Sequence, residues 1–309
     1  MEIWSAPLQG YTEAHWRGAH SKVYGRAVSR YFSPFLRLEK GELRHKDLRD
    51  ISSEMNEEVP LTPQIIFRDA AEFRTLVDTL KSLGYSSVDL NLGCPFPPQM
   101  KKGRGCGLLR HPEVLAEIAS LMRGEYSDIA FSVKMRLGVE DPDEWHEIIG
   151  IINDMPLTHL AVHPRVGRQQ YGGELYTDRF EAIHEATPHT LVYNGDVTTV
   201  AQIRDLEGRY PWLGAVMIGR GLLACPSLAA EYAAGREYDA PKRLEMLCRM
   251  HAIVYDYCTT NLCGDTQILS KLKPFWEYLE PFIGHRAHKL IHKATTLPRY
   301  LDALATFMP

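Results

Sequence analysis

Residues 190–221, TLVYNGDVTTVAQIRDLEGRYPWLGAVMIGRG, hold two short apolar runs with a segment of helical spacing between them. The runs TLVYNGD (190–196) and LGAVMIGRG (213–221) carry β-branched residues, and each ends in a turn that contains glycine. Such runs are typical of buried parallel strands. Thr198 and Thr199 are suitable N-caps for a helix over AQIRDL. This stretch therefore predicts a strand–helix–strand unit, the repeating element of an α/β protein.

Strand candidates of this kind recur through the first 220 residues, with amphipathic segments between most of them. They are residues 2–7, 27–35, 62–67, 86–93, 129–138, 159–165, 190–196 and 213–221. Most of them start about 25 to 35 residues after the one before, close to the ~30 residues of one unit in an eight-fold barrel. A doubly wound open sheet is the alternative, but no G-x-G-x-x-G follows the first strand. We therefore predict an α/β fold, a (β/α)8 TIM barrel.

Two parts of the chain depart from this alternation. Residues 36–61 are charged and poorly periodic, so we expect a long loop or a hairpin insertion there. After about residue 224 the strand pattern stops, and the remaining segments have the polar and apolar faces of helices. We predict two domains, the barrel over residues 1–235 and a C-terminal all-helical domain over residues 240–309.

The net charge of the chain is −4 at neutral pH, so the composition as a whole does not indicate a polyanionic partner. The charge is uneven, because residues 240–309 carry +3 and residues 1–239 carry −7. Two solvated helix faces explain this modest asymmetry as well as a nucleic-acid-binding surface does.

The six cysteines are Cys94, Cys106, Cys225, Cys248, Cys258 and Cys263. They form no C-x-x-C pair, so the sequence predicts no metal site. The first residues, MEIWSAPLQG, lack the features of a secretory signal, and no apolar stretch approaches the roughly 20 residues of a membrane-spanning helix. We expect a reduced, cytoplasmic protein with no membrane segment.

Polar residues follow the predicted strands at the ends where the active site of a barrel forms. They are Gln64, Asn91, Cys94, Lys134, Arg136, His163, Arg165, Asn194, Asp196 and Arg220. Lys134 lies inside an apolar strand, either as a side chain that snorkels from the strand end or as a fixed cation facing an anionic ligand. His163 is equally well explained as a core histidine, an anion contact or an acid. The convergence of these residues on one end predicts a functional site there.

The last two turns, Asn194-Gly195-Asp196 and Gly219-Arg220-Gly221, have a composition that suits phosphate binding. Barrels commonly hold a phosphate between the loops after strands seven and eight, where backbone N–H groups surround the anion. Each turn by itself is also an ordinary loop, since Asn-Gly is a common turn dipeptide. Their pairing on neighbouring strands favours the phosphate site.

Cys94 follows a predicted strand in NLGCPFPPQMKKGRGCGLL (91–109) and is bracketed by glycine and proline. A buried structural thiol is one interpretation, but the position suits a loop tip, which favours a proton donor or a nucleophile. Lys101, Lys102 and Arg104 follow closely, and we expect them to lower the thiol pKa. Cys106 is the alternative reactive thiol.

Eight segments together resemble the tRNA-dihydrouridine synthases, FMN-dependent enzymes that reduce selected uridines in tRNA. They are APLQGYTE, TPQIIF, VDLNLGCP, GRGCGLL, VKMRLG, VHPRVGRQQYGG, NGDV and MIGRG, in the family's order and spacing over residues 1 to about 224. The tail segment KLKPFWEYL is similar to the basic-aromatic helix of the family's C-terminal domain.

The resemblance implies that the barrel binds FMN, that the helical domain binds tRNA, and that NADPH or NADH is the reductant. The residues that match FMN contacts are Pro7, Leu8, Gln9, Gln64, Lys134, His163, Asn194, Gly195, Asp196, Gly219 and Arg220. Cys94 matches the cysteine that gives a proton to uracil C5 while reduced FMN gives hydride to C6. Asn91 and Arg136 match uracil contacts.

The predicted partner is tRNA, and the predicted protein is a monomer. Basic residues of the tail are candidate phosphate contacts, namely Lys271, Lys273, Arg286, Lys289, Lys293 and Arg299. Two other functions remain open. One is reduction of a small pyrimidine, as in the dihydroorotate and dihydropyrimidine dehydrogenases, and the other is RNA binding without catalysis.

Overall fold

The structure is a computed structural model that describes residues 1–308, and its main feature is a parallel sheet that curves into a barrel. The strands are β1 (Glu2–Ser5), β2 (Arg30–Phe32), β3 (Leu38–Glu39), β4 (Glu42–Leu43), β5 (Leu61–Thr62), β6 (Gln64–Ile65), β7 (Ser87–Leu92), β8 (Ala130–Gly138), β9 (Leu157–Val166), β10 (Leu191–Tyr193) and β11 (Ala215–Ile218). Strands β3 and β4 form a separate antiparallel hairpin, and the other nine belong to the barrel sheet.

The barrel closes through a strand that is interrupted at Pro63. The sheet order is β5-β2-β1-β11-β10-β9-β8-β7-β6, and its two end strands are consecutive in the chain. Only Pro63 separates them, and proline has no N–H group to donate to a ladder. The segment 61–65 therefore pairs with β2 on one side and β7 on the other. The eight predicted strand positions are all present, and the predicted TIM barrel is confirmed.

Helices connect the strands and form the outer layer. They are α1 (Ala14–Tyr24), α2 (His45–Ile51), α3 (Ala70–Ser82), α4 (Pro97–Met100), α5 (Pro112–Arg123), α6 (Ile149–Asn153), α7 (Thr177–Ala186), α8 (Val200–Arg209), α9 (Arg220–Ala224), α10 (Leu228–Ala233), α11 (Ala240–Asn261), α12 (Asp265–Leu272), α13 (Glu280–Ile283), α14 (His285–Lys293) and α15 (Leu297–Leu304). Local sequence determines several of their ends. Thr199 caps α8 by accepting from the Gln202 N–H, and Pro112 opens α5.

The charged segment 36–61 contains the β3–β4 hairpin and helix α2, in agreement with the predicted insertion. Asp50, in α2, accepts hydrogen bonds from the Ala14 N–H and from the buried Arg17 guanidinium. These contacts attach the insertion to α1 at the start of the barrel.

From Arg220 to Leu304 the described chain contains helices and no strand, as predicted. Helix α11 packs against the barrel helix α1, and the buried residues of both parts form one continuous core. At this junction the Lys271 ammonium donates to the Glu13 carboxylate. The boundaries at 235 and 240 remain a prediction.

A small cluster of apolar side chains lies inside the barrel, apart from the main core. It contains Trp4, Ala6, Phe32, Ala161, Val192, Ala215 and Met217. Ala6 and Met217 also line the cavity described below, so this cluster forms its floor. Within residues 1–308 no helix combines the length and the apolar character needed to cross a bilayer.

Candidate active site

A cavity of about 960 Å³ opens at the carboxyl ends of the barrel strands. Its volume is at the upper end of the range for small-molecule sites. All but one of the residues predicted to be catalytic or to contact FMN or uracil line it, namely Pro7, Leu8, Gln9, Asn91, Cys94, Lys134, Arg136, His163, Asn194, Gly195, Asp196, Gly219 and Arg220. The barrel thus brings together residues from six strand positions that are distant in sequence.

The exception is Gln64, which is fully buried and does not line the cavity. Its Nε2 donates to Asp89 Oδ2 at 2.6 Å, and its Oε1 accepts from Asn91 Nδ2 at 2.7 Å. Ser132 donates to the other Asp89 oxygen at 2.6 Å. Gln64 therefore orients Asn91 from behind the cavity wall, and its predicted direct contact with FMN remains a prediction.

Cys94 lies at the wall of the cavity and is partly buried. The Asn91 side-chain oxygen accepts from the backbone N–H groups of Gly93, at 3.1 Å, and Cys94, at 2.8 Å. Burial raises the pKa of the Cys94 thiol, although a backbone hydrogen bond from Phe96 and the charge of Arg136 act in the opposite direction. The thiol is therefore protonated at neutral pH, the form that a general acid requires.

The expectation that Lys101, Lys102 and Arg104 lower the thiol pKa is wrong. The Arg104 guanidinium is buried and donates from Nε to Glu72 Oε2 at 3.0 Å and from Nη2 to Glu72 Oε1 at 2.5 Å. Lys101 and Lys102 are exposed and do not line the cavity. The thiol pKa rises because desolvation outweighs the nearby cations, which belong to other segments of the chain.

The glycines of the loop GRGCG (103–107) allow close packing beneath Cys94. Gly105 has φ +59, and a Cβ atom there would lie 2.8 Å from the Cys94 carbonyl oxygen. Cys106 is fully buried, and its Sγ donates to the Gly138 carbonyl at 3.0 Å. Burial raises the pKa of the Cys106 thiol to about 12. Because Cys106 does not line the cavity, the geometry favours Cys94 as the reactive thiol.

Three basic side chains form one wall of the cavity, namely Lys134, Arg136 and His163. Lys134 has no ion-pair partner among residues 1–308, and burial lowers its pKa to about 8. Burial and the neighbouring cations, among them Arg136 and Lys134, lower the pKa of His163 well below its usual value, so its imidazole is neutral. Its Nε2 accepts from Arg165 Nη1 at 3.3 Å. This wall favours a ligand that carries or develops negative charge.

The Arg136 guanidinium is engaged by backbone carbonyl groups. Its Nε donates to Gly93 O at 3.0 Å, Nη1 donates to Val166 O at 3.0 Å, and Nη2 donates to Gln170 O. It therefore holds the loop of Cys94 against the loop after β9. Its predicted uracil contact remains a prediction, and only the donors not used by these carbonyls are available for it.

The turns after β10 and β11 meet at the opposite end of the cavity. Asp196 has φ +25, and its carboxylate accepts from Arg165 Nη2 at 2.5 Å and from Arg220 Nη2 at 2.6 Å. A Cβ atom on Gly221 would lie 2.0 Å from Val197 O, so only glycine permits this packing. Two guanidinium groups face one carboxylate, which leaves a net positive charge beside the backbone of Gly195, Gly219 and Gly221 at the cavity.

Five aromatic side chains that are not among the predicted site residues also line the cavity, namely Tyr11, Phe35, Phe96, Tyr171 and Tyr278. The Tyr11 and Tyr278 rings are 5.4 Å apart in an edge-to-face arrangement. The Arg136 and Arg220 guanidinium groups lie 5.7 and 4.9 Å from the Tyr171 ring centre. Tyr171 and Tyr278 lie in the segments GRQQYGG and KLKPFWEYL, but these segments alone do not show that the rings reach the cavity. Tyr278 shows that the C-terminal helical part contributes directly to the cavity.

The fold and this cavity define a (β/α)8-barrel protein with an enzyme-like site at the carboxyl ends of its strands. The chain belongs to the dihydrouridine synthase (Dus) family, whose model matches residues 4–292. This membership agrees with the resemblance that the sequence motifs indicated.

Curated relatives carry names consistent with this family. The "Probable tRNA-dihydrouridine synthase" of Staphylococcus epidermidis strain RP62A is 30% identical over 206 residues, which are 65% of this chain and 61% of that protein. The "Probable tRNA-dihydrouridine synthase 2" of Bacillus subtilis strain 168 is 28% identical over 205 residues, with the same coverage of 65% and 61%. The chain thus spans about 61% of the length of the curated relatives it matches.

Among solved structures, histamine dehydrogenase from Rhizobium sp. 4-9 has a TM-score of 0.55 and 12% identity over 76% of this chain and 46% of that chain. Morphinone reductase has a TM-score of 0.51 and 11% identity over 77% of this chain and 87% of that chain. At these identities the likeness shows the barrel fold.

Proposed function

We propose that the protein is a tRNA-dihydrouridine synthase, which reduces the C5=C6 bond of uridines in tRNA with FMN as cofactor and NADPH or NADH as reductant. The observation that carries this proposal is the position of Cys94, a protonated thiol on a cavity wall that also contains Lys134 and Arg136. The family match and the names of the relatives support the same activity.

The residues of the cavity fit FMN. Backbone of Gly195 and Gly219–Gly221 lines one end. The guanidinium groups of Arg165 and Arg220 carry one more charge than the Asp196 carboxylate, and this positive charge suits a phosphate there. The N–H groups of Arg220 and Gly221 have no acceptor within residues 1–308. Lys134, between this end and Cys94, suits the part of a flavin that becomes negative on reduction. When bound, the reduced flavin supplies the hydride that uracil C6 receives.

The chain itself supplies the proton. The Cys94 thiol donates its proton to C5, so that one hydride and one proton complete the addition across the double bond. A raised thiol pKa suits this step, because it keeps the proton on sulfur until C5 becomes basic. Asn91 fixes the backbone of Cys94, and Arg136 holds the same loop from its other side through Gly93.

The mouth of the cavity suits a base that has left the stacked structure of an RNA. Phe96 is 56% exposed and Tyr171 is 49% exposed, although both line the cavity. Exposed aromatic rings at such a position can stack on bases, and a uridine in a folded RNA must leave its stack to reach a buried thiol. A small free pyrimidine needs no aromatic rim of this kind, so this observation favours an RNA substrate.

Four of the six basic residues that the sequence offers as phosphate contacts are exposed and have no acidic partner among residues 1–308. They are Arg286, Lys289, Lys293 and Arg299. Lys271 and Lys273, by contrast, bind Glu13 and the His292 carbonyl. We propose that the four exposed cations contact tRNA phosphates and that the other two hold the helices in place. Action as a monomer in the cytoplasm is part of the same proposal.

The experiment compares Cys94→Ala with Cys106→Ser in the full chain, with tRNA that lacks dihydrouridine as substrate. Both variants should bind FMN as the parent protein does. Dihydrouridine formation should fall by about 100-fold or more in Cys94→Ala, the usual contribution of a general acid, and should persist in Cys106→Ser. Full activity of Cys94→Ala would overturn the assignment of the proton donor.

The same full-length protein distinguishes the two other functions. Reduction of free uridine as fast as tRNA would indicate a small-pyrimidine enzyme. Failure of the folded protein to take up FMN, together with retained tRNA binding, would indicate an RNA-binding relative without catalysis. Loss of dihydrouridine at defined tRNA positions in cells that lack the protein, measured by position-resolved mapping, would identify the uridines it reduces.

A further inference from the structure

A cluster of two histidines and a glutamate lies in the C-terminal helical part, outside the catalytic cavity. His288 and His292 are four residues apart on α14, so both side chains project from one face of that helix. Glu277 faces them from the segment before α13. One nitrogen of each imidazole and one carboxylate oxygen lie within 4.8 Å of one another.

Each of the two imidazole groups has a nitrogen atom without a hydrogen-bond partner. The Nε2 atoms of His288 and His292 are buried, and neither makes a hydrogen bond within residues 1–308. A buried polar atom without a partner costs roughly 1–3 kcal/mol in folded proteins, so such atoms call for an explanation. A ligand that both imidazole nitrogen atoms and the neighbouring Glu277 carboxylate share would explain why the two atoms lie side by side without hydrogen bonds.

The spacing suits a transition-metal ion. Two atoms that bind a tetrahedral Zn²⁺ at about 2.0–2.1 Å are roughly 3.4 Å apart. His292 Nε2 and Glu277 Oε2 are 3.6 Å apart. His288 Nδ1 faces Glu280 Oε2 at 3.6 Å, and a carboxylate on the far nitrogen is the usual way to orient a ligating imidazole. The exposed Glu277 side chain has room for the small rotation that would complete the site.

We propose that Glu277, His288 and His292 form a binding site for a divalent transition-metal ion of the Zn²⁺ type, with a fourth position open to water. The cysteine spacing predicted no metal site, whereas this site uses a His-x-x-x-His pattern on one helix and a glutamate from the preceding segment. Imidazole and carboxylate ligands suit Zn²⁺ and its neighbours in the first transition series.

The ion would join α14 to the segment that carries Tyr278. Glu277 immediately precedes Tyr278, whose ring contacts Tyr11 at the catalytic cavity. A metal bridge would therefore hold the wall that the helical part contributes to the cavity. The site is independent of the proposed reaction, since none of its three ligands lines the cavity.

The test uses the full-length protein after chelator treatment, with Zn²⁺ alone as the probe in titration calorimetry. We expect one equivalent to bind and the melting temperature to rise with Zn²⁺ concentration. His288→Ala, His292→Ala and Glu277→Gln should each weaken binding by at least the roughly 10–100-fold typical of disturbed metal sites. His285→Ala is the matched control, because this exposed histidine is on the same helix but outside the cluster.

Replacement of Zn²⁺ by Co²⁺ distinguishes metal binding at this cluster from metal binding by the cysteines. Tetrahedral nitrogen and oxygen coordination gives visible d–d bands without a sulfur-to-metal charge-transfer band, and these bands should disappear in His288→Ala and His292→Ala. The circular dichroism of the metal-free variants checks that they remain folded, and Glu277→Gln keeps the size of the side chain. The proposal is overturned if the parent protein binds no Zn²⁺, if the variants bind it as tightly as the parent, or if bound Co²⁺ shows thiolate coordination.

Discussion

The side-chain oxygen of Asn91 accepts a hydrogen bond from the backbone N–H of Cys94 at 2.8 Å. Behind Asn91, the chain of hydrogen bonds continues through Gln64 to the buried carboxyl group of Asp89, which also accepts from Ser132. Burial raises the pKa of Asp89 to about 6, although both hydrogen bonds act in the opposite direction. The position of the candidate acid is therefore set by a buried network that links β7 to its neighbours β6 and β8.

The first prediction concerns the pH dependence of stability that Asp89 causes. Because its pKa rises on folding from 3.8 to about 6, the folded state binds the proton more tightly, and stability falls as pH rises between these values. Asp89→Asn lacks this titration. Urea unfolding should be measured from pH 4 to 8. The free energy of unfolding of the variant, relative to that of the parent, should rise by on the order of 3 kcal/mol up to about pH 6 and stay constant above it. Parallel pH profiles would contradict this.

The second prediction concerns the glycine beneath Cys94. Gly105→Ala places a Cβ atom 2.8 Å from the Cys94 carbonyl and 2.9 Å from its Cβ, on backbone with φ +59. We expect a stability loss of about 1–3 kcal/mol and slower dihydrouridine formation, with FMN binding unchanged. Gly103→Ala is the control, since its φ is +68 but its nearest neighbours are 3.7 Å away. Equal effects of the two substitutions would show that backbone strain, not the contact with Cys94, is responsible.

The third prediction concerns Lys134. Lys134→Met removes a charge that no carboxylate within residues 1–308 pairs with, while it retains most of the side-chain volume. Since a nearby cation favours the reduced flavin, the midpoint potential should become more negative by roughly 30 mV, equivalent to about 1.4 kcal/mol for a two-electron couple. Potentiometric titration of the FMN-loaded protein measures this shift. An unchanged potential would place the Lys134 charge away from the flavin ring.

The fourth prediction concerns the exposed cations of the C-terminal helices. Replacing Arg286, Lys289, Lys293 and Arg299 by glutamine should weaken tRNA binding and reduce the slope of log affinity against log salt by about 0.7–0.9 for every phosphate that is no longer neutralised. FMN binding should not change. The control replaces Lys81 and Arg209, in the last turns of α3 and α8, at the opposite end of the barrel. Because the control removes two charges and not four, an equal loss of binding for each charge removed would point to a general effect of net charge.

The sequence predicted the barrel and most of the cavity lining because both follow from local patterns. Each strand end carries a polar residue, and a parallel barrel must collect these ends on one face. The side-chain partners could not be predicted in the same way. Gln64 is opposite Asp89 in the register of β6 and β7, so it turns to that carboxyl group and not to the cavity. Arg104 likewise pairs with Glu72, which lies 32 residues away in sequence.

Local sequence patterns also could not predict which segments far along the chain contribute side chains to a site. Tyr278 reaches the cavity only because α11 packs on α1 and carries the following segment across the mouth of the barrel. Tyr278 lies in the turn before α13, and a turn tyrosine has no local sequence pattern that predicts such a position. The histidine pair on α14 gives a local signal, but the glutamate that faces it becomes visible only in three dimensions.

The continuous core between α1 and α11 has a consequence for engineering and for the divergence of such proteins. A tail transplanted from another barrel would have to match the apolar face of α1, the charge of Glu13 and the ring of Tyr11 at the same time. A swap of C-terminal helices between two such proteins should therefore transfer substrate preference only when α1 is transferred along with them. For the same reason, we expect the two segments to be inherited as a pair.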